Sequence, residues 1–163
     1  MNSVDLIIIA LLAFMPISEI RGAIPYAMYR ADSLFHEIIG ISVSIAFNML
    51  VPFAAFFILD LLDKLIKSKH VPVFLKKAYL WLINLGVKRS LRMRKTSYIA
   101  LALFVGVPLP VTGAWTGTLV SFVLGLDRRK SIIAIEIGVL IASVIVAIVT
   151  YTGIEVLKRI FLS

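Results

Sequence analysis

Two of the four apolar runs in this chain are broken by residues that hydrocarbon penalises. Within Leu6–Tyr29 the stretch FMPISEIRGAIPYAMY, Phe14 to Tyr29, holds Pro16, Glu19, Arg21, Gly22 and Pro25. Within Tyr98–Leu126 the stretch VGVPLPVTGAWTGTL, Val105 to Leu119, holds Pro108, Pro110 and three glycines. The other two runs, Ile38–Leu59 and Ile132–Ile154, are long enough for full spans, because ~20 helical residues cross a hydrocarbon core. A chain of 163 residues that is 61% hydrophobic, with mean hydropathy +1.03, is too apolar for a soluble domain of this size. The expected class is an all-α integral membrane protein. With no Ser/Gly/Pro-rich linker to divide it, residues 1–163 are read as one membrane domain.

Broken backbone at membrane depth leaves polar groups that lipid cannot satisfy, so it must be buried in protein or line a cavity. Each broken run is therefore read as a re-entrant helical hairpin, Val4–Met15 and Tyr98–Gly106 being the first arms; a proline-kinked helix that crosses fully is the alternative. Charge distinguishes them. If both hairpins return to the face they entered from, thirteen of the seventeen lysines and arginines, from Lys64 to Lys130, share one side. The positive-inside rule then puts the basic linker 61–96 in the cytoplasm and both termini outside. Full crossing would move Arg128, Arg129 and Lys130 away from that linker and weaken the asymmetry.

The two halves also share a spacing. Asp5 and Thr96 each lie 17 residues before the glycines of the Gly22-Ala23 and Gly113-Ala114 pairs, and His36 and Asp127 each lie 14 after them. One crossing between the halves would invert them, so the expected architecture is two inverted repeats, 4–60 and 97–154, each a hairpin plus a transmembrane helix. Between them, Lys77, Asn84, Lys88, Arg92 and Lys95 form a polar stripe opposite Phe74, Ala78, Trp81, Leu82 and Leu85. This predicts a basic amphipathic interfacial helix over Val71–Lys95, held by anionic headgroups with Tyr79 and Trp81 at headgroup level.

The breaks carry the chemistry. An ionisable side chain inside an apolar block must be paired or reach water, which marks Glu19 and Arg21 either as a structural pair holding a hairpin tip or as functional groups. Helices beginning near Gly22 and Gly113 would aim two positive N-termini at a midplane anion such as a phosphate, with Arg21 beside it. Burial opposes charge on Glu19 and a neighbouring arginine favours it, so Glu19 is the expected proton-coupling group, with Glu136 as a second carboxylate or a snorkelling interfacial residue. Thr112 and Thr116 can cap amides or hold an oxyanion, and Trp115 can cover an apolar tail. Gly113 and Gly117 permit close approach or form a helix-packing face. Asn48 faces the hairpins as a ligand or a packing hydrogen bond. The expected substrate-binding set is Glu19, Arg21, Gly22, Pro25, Asn48, Pro108, Pro110, Thr112, Gly113, Trp115, Thr116 and Gly117.

The motifs PISEIRGAIP, Pro16 to Pro25, and GVPLPVTGAWTG, Gly106 to Gly117, resemble those of the small membrane proteins named as small multidrug exporters. That family is itself similar to the DedA-like, VTT-domain superfamily, whose fold pairs two re-entrant hairpins with membrane spans. The resemblance covers nearly the whole chain. It implies membrane transport, on the DedA-like side the proton-coupled movement of lipids or polyprenyl-phosphate carriers between leaflets. Glu19 matches that family's acidic residue after a proline in the first hairpin. The arginines of the DedA-like second hairpin have no counterpart, since no basic residue lies between Tyr98 and Leu126, which leaves that role to Arg21.

Other function classes fit poorly. No H-E-x-x-H, G-x-S-x-G or phosphate-binding lysine loop occurs, so no enzyme activity is expected. Cysteine is absent, no metal site or cofactor is expected, and Asp60 and Asp63 read as a solvated helix end. The net charge of +8 reports orientation in the membrane and not a nucleic-acid partner. Asp5 stands where a signal peptide would have a basic region, so the first run is expected to stay in the mature chain. The functional expectation is a transporter of an anionic lipid carrier, a polyprenyl phosphate or phospholipid, whose partners are membrane lipids. The alternatives are an exporter of lipophilic cations and a non-transporting assembly factor. So few crossings make a small intramembrane core, which predicts a homo-oligomer.

Overall fold

The computed structural model describes residues 1–67, 77, 96–110 and 112–162. These form seven helices: α1 Ser3–Phe14, α2 Glu19–Arg30, α3 Leu34–Met49, α4 Val51–Lys67, α5 Thr96–Gly106, α6 Ala114–Val123 and α7 Arg128–Leu162. No strand occurs among the described residues. The amphipathic helix expected over Val71–Lys95 lies, Lys77 apart, outside them.

Local chemistry sets the helix ends. Asn2 and Asp5 form a capping box on α1, the Asn2 N–H donating to Asp5 Oδ2 at 2.8 Å. Ser33 Oγ accepts from the His36 N–H at the start of α3, and Asp127 Oδ1 from the Lys130 N–H at the start of α7. α1 stops because Met15 precedes Pro16 and is pushed to extended backbone, φ −67° and ψ 137°. Pro52 sits in the first turn of α4, where its missing N–H breaks the ladder between α3 and α4 at Leu50. α3 and α4 together make an apolar helical stretch, Leu34–Ile66, of 33 residues. It and Arg128–Ile154 of α7 are long and apolar enough to cross a membrane. Both outrun the blocks expected from sequence.

α1 and α2 form an antiparallel pair whose base is tied by Asp5, which accepts from Arg30 Nε at 2.9 Å and from the Tyr26 hydroxyl at 3.4 Å. α3 packs back along this pair, Gly40 lying so close that a Cβ there would be 2.7 Å from Ala27 Cβ. α5 and α6 form the second pair, its base marked by the Asp127 N–H donating to the Tyr98 hydroxyl at 3.1 Å. α7 then runs beside α5, with Gly138 against the Ala102 carbonyl and Val105 and with Gly106 against Ile141. The two halves cross over: α2 packs on α7 and α6 on α4. The main core gathers Ile20 and Ile24 of α2, Val51 of α4, Leu101 and Val105 of α5, Ala114 of α6 and Ile135 and Val139 of α7. Where α4 ends and α7 begins, Arg128 pairs with Asp60 at 2.7 Å and lies 4.7 Å over the Phe56 ring. The exterior is apolar, with Ile7, Phe57, Leu103, Ile133, Val144 and Ile148 all exposed, as hydrocarbon contact requires.

The α5–α7 seam depends on Gly138. A methyl group there would meet the Ala102 carbonyl oxygen at 2.6 Å and Val105 Cβ at 2.7 Å. Gly138→Ala should cost about 1–3 kcal/mol through this overlap, read as a lower unfolding midpoint in detergent. Gly153→Ala, with nothing within 4 Å of the new Cβ, should be neutral or slightly stabilising.

Candidate functional site

A helix that ends packed against the rest of the protein must find partners for its last carbonyls. α1 ends this way, and each of its terminal carbonyls is met by a different donor. Leu11 O accepts from the Met15 N–H at 3.0 Å and Leu12 O from the Ser18 hydroxyl. Ala13 O accepts from Asn48 Nδ2 of α3 at 2.6 Å, and Phe14 O from Trp115 Nε1 of α6 at 2.8 Å. Met15 O accepts from the Glu19 N–H at 3.1 Å. The Trp115 indole also packs edge-on against Phe14, ring centres 5.8 Å apart.

The second hairpin receives its partners from the first. α6 begins after Gly113, which has no side chain to cap the free amides. The Glu19 carboxylate does this instead, accepting from the Trp115 N–H at 3.2 Å with the Ala114 N–H beside it. Gly113 is in extended backbone that any residue adopts, so glycine is required there by space: a Cβ would collide with the Glu19 carboxyl. Glu19 is only 5% exposed and sits at φ 48°, in the left-handed region that non-glycine residues avoid at a cost of about 1–2 kcal/mol. The geometry of the turn and the cap together hold it there.

Arg21 completes the exchange. Its Nη1 donates to the Leu109 carbonyl of the second tip, and its Nη2 lies 3.6 Å from Glu19 Oε2. In that tip Pro108 and Pro110 supply no N–H, and Thr112 Oγ1 fills the gap, 2.6 Å from Val107 O, 2.8 Å from Leu109 O and accepting from the Leu109 N–H.

Two spaces flank this contact. The inner one, about 10 Å³, is lined by Glu19, Arg21, Asn48, Pro108, Thr112 and Gly113, with Val139 and Ala142 of α7 on its far wall. It has room for at most one water. The outer one is an open groove of about 610 Å³ between the tips, lined by Pro16, Ile17, Ser18, Arg21, Gly22, Pro108, Pro110 and Thr116. Arg21 and Pro108 line both and form the partition between them.

Ten of the twelve candidate binding residues thus lie at the tip contact or its two spaces. The other two do not: Pro25 lies inside α2, and Gly117 packs against Val105. Glu136, the second candidate carboxylate, is half-buried on α7 and lines neither space. The structure differs from the sequence expectation at the helix starts. α6 begins at Ala114 as expected, but α2 begins at Glu19, three residues before Gly22. The α6 N-terminus is also not open to a ligand, because Glu19 occupies it. Sequence reasoning missed Ser18, whose only signal is a hydroxyl two residues beyond a helix-stopping proline, and Leu109, which contributes a backbone carbonyl that carries no signature.

Residues 19–145 match the family described as "Putative small multi-drug export protein". The chain belongs to this family. The matched segment opens on Glu19 and runs through the first half of α7, so it contains every part of the tip contact except α1 and the loop after it. No curated protein and no solved structure matches the chain. In this member of the small multidrug export family the described residues are helical, two helices are long and apolar enough to cross a membrane, and the tips of the two helix pairs exchange caps.

That exchange is testable without an activity assay. Gly113→Ala should destabilise the protein by about 1–3 kcal/mol by driving Cβ into the Glu19 carboxyl. Removing that carboxyl in Glu19→Ala/Gly113→Ala should give a smaller loss than the two single losses summed, with a coupling of about 0.5–3 kcal/mol in a double-mutant cycle of detergent unfolding. Strict additivity would mean that the two residues do not meet.

Proposed function

We propose that this protein is a transporter, not an enzyme, that moves an amphiphile with an anionic headgroup, a polyprenyl phosphate or phospholipid, between membrane leaflets. One observation carries the reading: among the described residues, Arg21 is the one charged side chain lining the open groove, while Glu19 is turned inward onto the α6 amides. A guanidinium has five N–H donors; Leu109 takes one and Nη2 lies beside Glu19 Oε2, so those left over can face a phosphate. The groove walls of proline and isoleucine suit the apolar part of such a substrate.

The architecture supports this use. The first hairpin has its base at the start of the α3–α4 stretch, the second at the start of α7, beside the end of α4. Hairpins entering from opposite faces and meeting at their tips would make the two inverted, re-entrant repeats of a midplane carrier. The positive-inside rule then leaves the basic linker 61–96 cytoplasmic and the termini outside. The likeness of the motifs to the DedA-like, VTT-domain superfamily points to the same class. A chain with so few crossings would work as a homo-oligomer.

Proton coupling follows from the cap. The Glu19 carboxylate holds the amides an incoming phosphate would seek, so headgroup and carboxylate compete for one helix end. A proton on Glu19 removes its charge and releases the amides, which links anion entry to protonation. A second reading, export of lipophilic cations, is favoured by the family's description and would place Glu19, with Trp115 as aromatic partner, in charge of the substrate.

Purified protein in liposomes carrying a short-chain fluorescent polyprenyl phosphate, quenched from outside with and without a pH gradient, separates these. Arg21→Ala should lower the rate about tenfold or more, the worth of one charged hydrogen bond, and Glu19→Gln should flatten its pH dependence. Intact movement in Arg21→Ala with a dead Glu19→Gln would reject the anionic substrate in favour of the cationic one.

A further inference from the structure

α5 and α7 enclose a second groove, of about 460 Å³, that shares no residue with the hairpin tips. Ala102 and Ala134 form its floor, and Ile99, Leu103, Ile133 and Ile137 its rims, each rim residue about half exposed or more. It is apolar along its length and closed at one end by a cation, Lys130. From Lys130 to Ile141 the α7 wall runs for about 16 Å at 1.5 Å per residue, the reach of one acyl chain from headgroup to midplane.

We propose that this groove binds one anionic phospholipid, its phosphodiester at Lys130 and one acyl chain along the α5–α7 seam. The charge at the mouth selects the occupant. Arg128 is committed to Asp60 and Phe56, and the Asp127 carboxylate caps the Lys130 N–H, but the exposed Lys130 ammonium has no partner among the described residues. Arg129 adds a second exposed cation beside it. An apolar helix face from a second copy would offer this ammonium no anion, and a zwitterionic lipid offers no net charge. A basic mouth over an apolar cleft at a membrane surface recognises an anionic headgroup. The proposal is independent of the transported substrate, since it uses none of the tip residues.

The test is native mass spectrometry of the full chain in detergent with phosphatidylglycerol and phosphatidylcholine of equal chain length. Phosphatidylglycerol should be retained about fivefold more strongly, the effect of one surface cation, and Lys130→Ala should bring the ratio near one. Lys64→Ala removes an exposed cation outside the groove and should leave the ratio unchanged. Ala102→Phe fills the floor and should lower retention of both lipids; if it fails to fold, Leu103→Trp on the exposed rim repeats the test. Equal retention of the two lipids, or an equal loss in Lys64→Ala, overturns the site. Unchanged retention in the groove-filling variant overturns the chain placement.

Discussion

A helix that stops inside a packed protein presents carbonyls with no successor turn to satisfy them, and the rest of this structure is arranged around that requirement. α1 stops at Phe14, and its carbonyls draw donors from the following loop, from α3 and from the far hairpin. α6 starts beside a glycine that cannot cap it, and its amides draw an acceptor from the first hairpin. Each tip is incomplete alone. The debt is settled reciprocally, Trp115 donating into the first tip and Glu19 and Arg21 binding the second.

Reciprocity explains features that look costly in isolation. A buried carboxylate in left-handed backbone would be destabilising by itself. Here the left-handed turn points it at two amides, the missing Gly113 side chain leaves it room, and Arg21 offsets part of its charge. The same arrangement closes the centre of the protein. A water-sized cavity lies inside the partition, an open groove of about 610 Å³ lies outside it, and Arg21 lines both. Arg21 and Pro108 therefore separate the groove from the cavity.

Much of this was legible in the sequence because hydrocarbon leaves few choices. Apolarity identified a helical membrane chain, the Pro/Gly clusters located both interruptions, and the ends of α1 and α5 fall within a residue or two of where the composition changes. Glu19, Arg21, Gly113 and Trp115 stood out because charge, a missing side chain and an indole are conspicuous in such surroundings. Their pairings did not. Asn48 to Ala13 and Trp115 to Phe14 join side chains to backbone carbonyls 35 and 101 residues away, and a carbonyl has no residue-type signal. The start of α2 was misplaced because glycine reads as a helix boundary, whereas the turn here is made by Glu19 itself. Pro25 belongs by residue type to the first interruption, yet α2 continues through it.

The distance in sequence between the exchanged groups also has a meaning in time. Ser18 and Asn48 emerge soon after α1 and can close Leu12 and Ala13 as the first hairpin and α3 form. Phe14 and the Glu19 carboxylate must wait for Trp115, 101 and 96 residues later. At about 5–20 residues per second of synthesis, that is on the order of 5–20 s. Throughout that interval the first half carries a carboxylate without its amides and the Phe14 carbonyl without its indole donor. The first tip is therefore complete only once the second has been made, and the order of synthesis fixes which half waits for the other.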